Sequence, residues 1–176
     1  MARDEYVMQF INDFIPVLDQ IPGINIPKIK GSTSVYGAGG SSSSAINSKM
    51  HASSGQLFQA ALVTVALDTS DLANGVTNDT GAYKMTIATA GYYLLVGKIS
   101  WDTPTAGKSY WTYLYKNGSA LNSMITQPAA ASAFSGICVE LVYLVTGDYI
   151  QLKGYQNSGA NVYSRAETNL FISKIS

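Results

Sequence analysis

Charge is what this chain has least of. Only 12% of its 176 residues are Asp, Glu, Lys or Arg, about half the roughly 25% of an ordinary globular domain. Lys+Arg and Asp+Glu number 11 each, so the formal net charge is zero. A nucleic-acid binder shows a basic excess or a basic stripe; neither is present, and that class is set aside. The single cysteine, Cys138, rules out an intrachain disulfide and leaves the redox compartment open. The single histidine, His51, together with one cysteine, excludes the usual zinc ligand sets. No apolar run is long enough for a bilayer-spanning helix. The segment MARDEYVMQF lacks a basic stretch followed by an apolar one, so it is not read as a secretory signal.

Catalytic patterns are missing as well. No serine sits in a G-x-S-x-G elbow, which leaves His51 without a triad. The scattered acidic residues single out no carboxylate pair for glycoside cleavage. The loop bearing Asp68, Asp71, Asn74, Asn78 and Asp79 offers hard oxygen ligands and is the one calcium candidate. Its spacing does not match an EF-hand, and Asx residues are what turns use, so turn chemistry is the reading kept. Asp148 is read as a turn residue and Cys138 as a small buried hydrophobe. The expectation is a protein that is not an enzyme and holds no cofactor.

What the chain has in quantity is apolar and aromatic surface. Hydrophobic residues make up 47%, with twelve tyrosines and five phenylalanines. That is much to hide in one small core, and few charges protect poorly against association. An obligate oligomer that buries part of its surface is expected.

Residues 3–21 (RDEYVMQFINDFIPVLDQI) carry the only helical periodicity. Tyr6, Val7, Phe10, Ile11, Phe14, Val17, Leu18 and Ile21 share one face, with Glu5, Gln9, Asn12, Asp13, Asp19 and Gln20 opposite. Asp4 and Glu5 suit the positive end of the helix dipole. Pro16 kinks or restarts the helix. Such a helix needs a partner for its apolar face, either its own domain or a neighbouring protein. Its polar face is acidic, against a membrane-surface role. Pro22 and Pro27 then favour extended backbone, and Gly37–Ser44 has linker composition. The expected organisation is an anchoring helix and arm (1–36), a linker (37–44) and a head (45–176).

From Ala45 onward the texture is that of strands. Gln56–Leu67, Tyr83–Ala88, Tyr92–Trp101, Tyr110–Lys116, Leu121–Gln127 and Asn169–Ile175 all read as strands, and 68–82 reads as a polar loop. Asn117-Gly118 is a strong hairpin signal. Phe134–Tyr155 reads as two long strands joined by a Gly147-Asp148 turn. In the first of these, Ile137, Val139, Leu141, Tyr143 and Val145 alternate with Phe134, Cys138, Val142 and Leu144. A sandwich strand needs one apolar face and this one has nearly two, so one face is assigned to the core and part of the other to sister subunits. Many short strands with Gly/Asn/Asp turns predict an all-β antiparallel sandwich or barrel. Trp101, Trp111, Tyr110 and Tyr155 could form an aromatic platform for carbohydrate, but core and trimer-axis packing accounts for them more simply.

Four local patterns fall in a familiar order: ATAGYYLL (88–95), YLYKNGS (113–119), GDYIQL (147–152) and NLFISKI (169–175). Together, over about residues 50–176, they resemble the globular-head domain of the complement first component, which shares the jelly roll of tumour necrosis factor. The last element departs from the family pattern, because Phe171 is followed by Ile172-Ser173 rather than by glycine. No collagen-like stalk precedes the domain. The resemblance implies a jelly roll of about ten strands that trimerises about a three-fold axis. Tyr92, Trp111, Tyr113, Tyr115, Ile137, Val139, Leu141, Tyr143 and Phe171 are the residues expected in trimer or core packing. Versions without collagen look like those of bacteriophage virion proteins. The implied role is a trimeric capsid decoration or head-fibre protein on the particle surface, held to a capsid or other virion protein through its N-terminal arm. The alternative is a tail-fibre tip whose loops bind host polysaccharide or protein.

Overall fold

The computed structural model describes residues 45–175. The expected anchoring helix, its apolar residues from Tyr6 to Ile21, and the linker lie outside the described residues. Within them the chain forms thirteen strands and no helix. They are β1 (Asn47–His51), β2 (Leu57–Phe58), β3 (Val63–Thr64), β4 (Thr69–Asn74), β5 (Val76–Asp79), β6 (Lys84–Ile87), β7 (Gly91–Asp102), β8 (Tyr110–Lys116), β9 (Ser119–Thr126), β10 (Phe134–Leu144), β11 (Tyr149–Gln156), β12 (Val162–Ser164) and β13 (Asn169–Lys174).

Two antiparallel sheets share them. The first runs β10-β7-β13-β1-β4, with β12 and β2 continuing beside the far end of β7. The second runs β5-β6-β11-β8-β9, with β3 also on β11. Period-2 alternation decides which side chains enter the space between. In β7, Tyr93, Leu95, Ile99 and Trp101 point inward and are fully buried. From the second sheet Met85, Ile87, Leu114, Ile150 and Leu152 meet them, and Leu170 and Ile172 of β13 complete the layer. One end of the core is aromatic. Phe58, Trp101, Tyr110 and Phe134 follow one another edge-on at 4.8, 5.2 and 5.4 Å between centroids, the arrangement that ring quadrupoles favour. The sheets approach closely at Gly154, where an added Cβ would lie 2.6 Å from Phe58 Cε1 and 2.9 Å from Ile99 Cδ1.

The Asn117-Gly118 hairpin forms as expected. Tyr115 and Lys116 pair with Ala120 and Ser119, and both turn residues have positive φ, 51° and 81°, as a type I′ turn requires. The Gly147-Asp148 turn has a different role. β10 pairs with β7 in the first sheet, while β11 pairs with β6 and β8 in the second. The turn therefore carries the chain across the sandwich, and the two strands it joins are not hydrogen-bonded neighbours.

Asp148 holds this crossing in place. One carboxylate oxygen accepts from Val145 N–H at 2.9 Å, and the other from Asn117 Nδ2 at 2.7 Å. Lys116 Nζ lies 2.8 Å away. Tyr149 N–H donates to Asn117 Oδ1 at 2.9 Å, so the hairpin and the crossover are fastened to each other. Burial works against ionisation of Asp148, but the bonds from Lys116, Val145 and Asn117 outweigh it and hold the carboxyl below its ordinary range.

The predicted loop over 68–82 contains two strands, β4 and β5, joined at Gly75, which has φ +70°; β4 pairs with β1 in the first sheet and β5 with β6 in the second, so this turn also carries the chain across the sandwich. Most β4 side chains are exposed; among the described residues it is the edge strand of the first sheet, paired with β1 alone. A polar edge strand carries no apolar alternation, so periodicity passes over it. The expected strand over Gln56–Leu67 breaks into β2 and β3 with a bend between. β1, in NSKMH, and β12, in VYS, were not anticipated; both are short, and β1 is mostly polar.

Candidate interaction surface

Outward residues of β10 and β7 meet in register. Val139 faces Val96, Leu141 faces Leu94 and Tyr143 faces Tyr92. Leu141 is 58% exposed, Tyr92 52%, Val139 51%, Tyr143 50% and Ile137 46%. The Tyr92 and Tyr143 rings touch edge-on at 5.2 Å between centroids. On the far side of β7, Phe171 of β13 pairs with Val96 and is partly buried. This is a contiguous apolar face with no charge at its centre. Monomeric proteins rarely expose such patches beyond a few hundred Å². The core half of the expectation from β10 is met: one face enters the core through Cys138 and Leu144, and the other is bare among the described residues. Leu94 and Val96 complete the face; their signal was the doubly apolar start of β7.

At one end this face turns polar. Lys98, paired with Ile137, borders a pocket of about 150 Å³ lined also by Ser100, Phe134, Ser135, Arg165 and Glu167. Ser100 and Ser135 hydroxyls lie 3.1 Å apart, and Arg165 Nε is 3.7 Å from Glu167.

The other aromatic residues grouped with this face from the sequence lie elsewhere. Trp111, Tyr113 and Tyr115 are on the outer side of the second sheet, partly exposed, and belong neither to the core nor to the β7–β10 face. Odd-numbered residues of β8 must point away from Leu114, and Leu114 is core. The four-residue platform also divides. Trp101 and Tyr110 are buried, while Trp111 and Tyr155 pair on the outside at 5.0 Å between centroids. Around them lie Tyr113, 6.0 Å from Tyr115, and Lys153 Nζ, 4.4 Å above the Tyr115 ring. Burial, then the neighbouring Tyr115 and Tyr155, raises the Tyr113 hydroxyl above its ordinary range, which keeps it a proton donor.

The calcium candidates are not brought together. Asp68 accepts from Ser53 N–H and Oγ at 2.7 and 2.6 Å, which lowers its pKa. Asp71 pairs with Lys49 at 2.9 Å and His51 at 2.7 Å, and the Lys49 bond leads in lowering its pKa. Asn74 donates to Ala45 O, Asn78 to Ser70 Oγ and Leu72 O, and Asp79 caps the N–H groups of Gly81 and Ala82. Only Asp79 does what turn chemistry predicts; the others tie this segment to distant or neighbouring strands and loops. Burial raises the Cys138 thiol, which keeps it protonated and unreactive.

No family model matches the chain, and no curated protein does. Solved structures do. The Eiger TNF of S. frugiperda superposes with a TM-score of 0.58 at 10% identity, over 75% of this chain and 93% of its own. Murine APRIL, at pH 8.5, superposes at 0.54 with 15% identity, over 73% and 99%. At such identities the likeness establishes architecture: the described residues form a jelly roll of the tumour-necrosis-factor type.

Proposed function

We propose that this protein is a non-enzymatic structural component of a virus particle, a homotrimeric head attached through its first 36 residues. The observation that carries the trimer is the bare apolar face of β7 and β10. A row of half-exposed Leu, Val, Ile and Tyr is unfavourable in water, and packing it about a three-fold axis buries it against its own copies. The non-enzymatic part rests on how the polar groups are used: the carboxylates of the loop and of Asp148 are engaged in turns, caps and ion pairs. The particle role rests on the sequence, where an amphipathic segment, an extended arm and a linker precede the head. Three arms on one trimer raise the effective concentration of each, so modest individual contacts give tight retention.

Light scattering of the purified protein tests the assembly: a trimer is expected, and a monomer at micromolar concentration overturns it. Deleting residues 1–36 tests the attachment. The truncated chain should remain a folded trimer and lose the particle, and decoration by the truncated chain would refute anchoring.

A further inference from the structure

The outer face of the second sheet differs chemically from the β7–β10 face, and that difference suggests what it binds. Trp111, Tyr113 and Tyr115 lie along β8, flanked by Tyr155 and Lys153 of β11. Their rings form a strip with Trp111 and Tyr155 at one end and Tyr113 and Tyr115 at the other. Ring faces suit the CH surfaces of sugars, while phenol and indole groups and an ammonium can bond the sugar's oxygens. The charge on this face is unbalanced. Lys153 projects over Tyr115 and has no acidic partner among the described residues. Further along, Lys84 lies 5.3 Å from the Tyr149 ring and is only 4.0 Å from Asp79, the edge of an ion pair. Two lysines face one carboxylate, so the strip carries a net positive charge.

We propose that the outer face of β8 and β11 binds an acidic polysaccharide, with sugar rings lying on Trp111, Tyr155, Tyr113 and Tyr115 and a sugar carboxylate at Lys153. Single-stranded nucleic acid also stacks on aromatic side chains, but it needs a positively charged groove that tracks every phosphate, and this strip has one lysine without an ion pair. A protein partner would need an apolar counterpart, which the β7–β10 face offers better. The site lies within one chain and does not depend on trimer closure.

The test uses the full chain and three probes: a linear oligomer of six hexuronic acids, a neutral six-glucose oligomer, and an oligothymidylate. Calorimetry should give binding of the acidic oligomer, at least tenfold weaker binding of the neutral one, and none of the oligothymidylate. Trp111→Ala should weaken the acidic oligomer at least tenfold, and Lys153→Gln should narrow the gap between acidic and neutral oligomers while leaving the fold intact. Light scattering and thermal melts of both variants separate loss of the site from loss of the fold. No binding of the acidic oligomer, equal binding by Lys153→Gln and the parent, or preference for the oligothymidylate would each overturn the proposal. A monomeric parent that still binds the acidic oligomer would refute the trimer and support this site.

Discussion

The two outer faces of the sandwich make the useful comparison. Both are built by strands whose other side is core, and both are rich in large side chains. On the β7–β10 face these are chiefly aliphatic, with the Tyr92–Tyr143 pair, and several are about half exposed. On the β8–β11 face they are aromatic, partly buried against one another and interleaved with Lys153, Gln151 and Ser123. An aliphatic face has nothing to offer water or a polar ligand and gains only by being covered. An aromatic and lysine face can stay wet and still be stable, because its rings shelter each other and its polar ends remain solvated. The same fold thus presents one surface suited to self-association and one suited to recognition.

The largest effect should come from charging the first face. Leu141→Lys places an ammonium at its centre, and the concentration at which the trimer dissociates should rise at least a hundredfold, about 5–6 kcal/mol per trimer because three chains separate. Sedimentation or light scattering over a dilution series measures it. An unchanged trimer would move the interface elsewhere.

Gly154→Ala should disturb both faces equally, since it pushes on Phe58 and Ile99 between the sheets. A loss of about 2–3 kcal/mol is expected from overpacking, read by denaturant unfolding. A smaller loss would mean that the core relaxes there.

Asp148→Asn should cost about 1–2 kcal/mol through the lost charge-assisted bonds, and its effect should depend on pH. The folded carboxyl is held below its unfolded value of about 3.9, so its contribution is complete above that pH and fades as pH falls from there through the folded value. Parent and variant should therefore converge in stability as the pH falls below the unfolded value, and a gap that does not shrink with acidification would contradict this.

The smallest structural effect belongs to the second face. Trp111→Ala should cost about 1 kcal/mol, the worth of an aromatic pair, and leave the trimer intact. If it dissociates the trimer, the two faces are not separate in function.

How much of this was legible in the chain follows from periodicity. β7, β8, β9, β10 and β13 alternate strongly or end in a recognisable turn, and their positions could be read to within two residues. β4 and β5 could not, because edge strands with polar side chains owe their conformation to backbone pairing with a neighbour, and β12 could not because three residues are too few to show alternation. Asn74-Gly75 signals a turn, but the dipeptide that closes the β8–β9 hairpin at Asn117-Gly118 here passes the chain from one sheet to the other. The apolar face was half legible, since β10 shows it alone while Leu94 and Val96 join it only through pairing.

The sequence by itself determined the all-β class, the β8–β9 hairpin and the double apolarity of Phe134–Leu144. Only the tertiary structure decided which side of each strand is core. Alternation states that two faces differ, and sheet pairing states what each one meets. That is why Trp101 and Trp111, ten residues apart in similar aromatic strands, end in opposite surroundings: one sealed between the sheets, the other on the face that meets solvent.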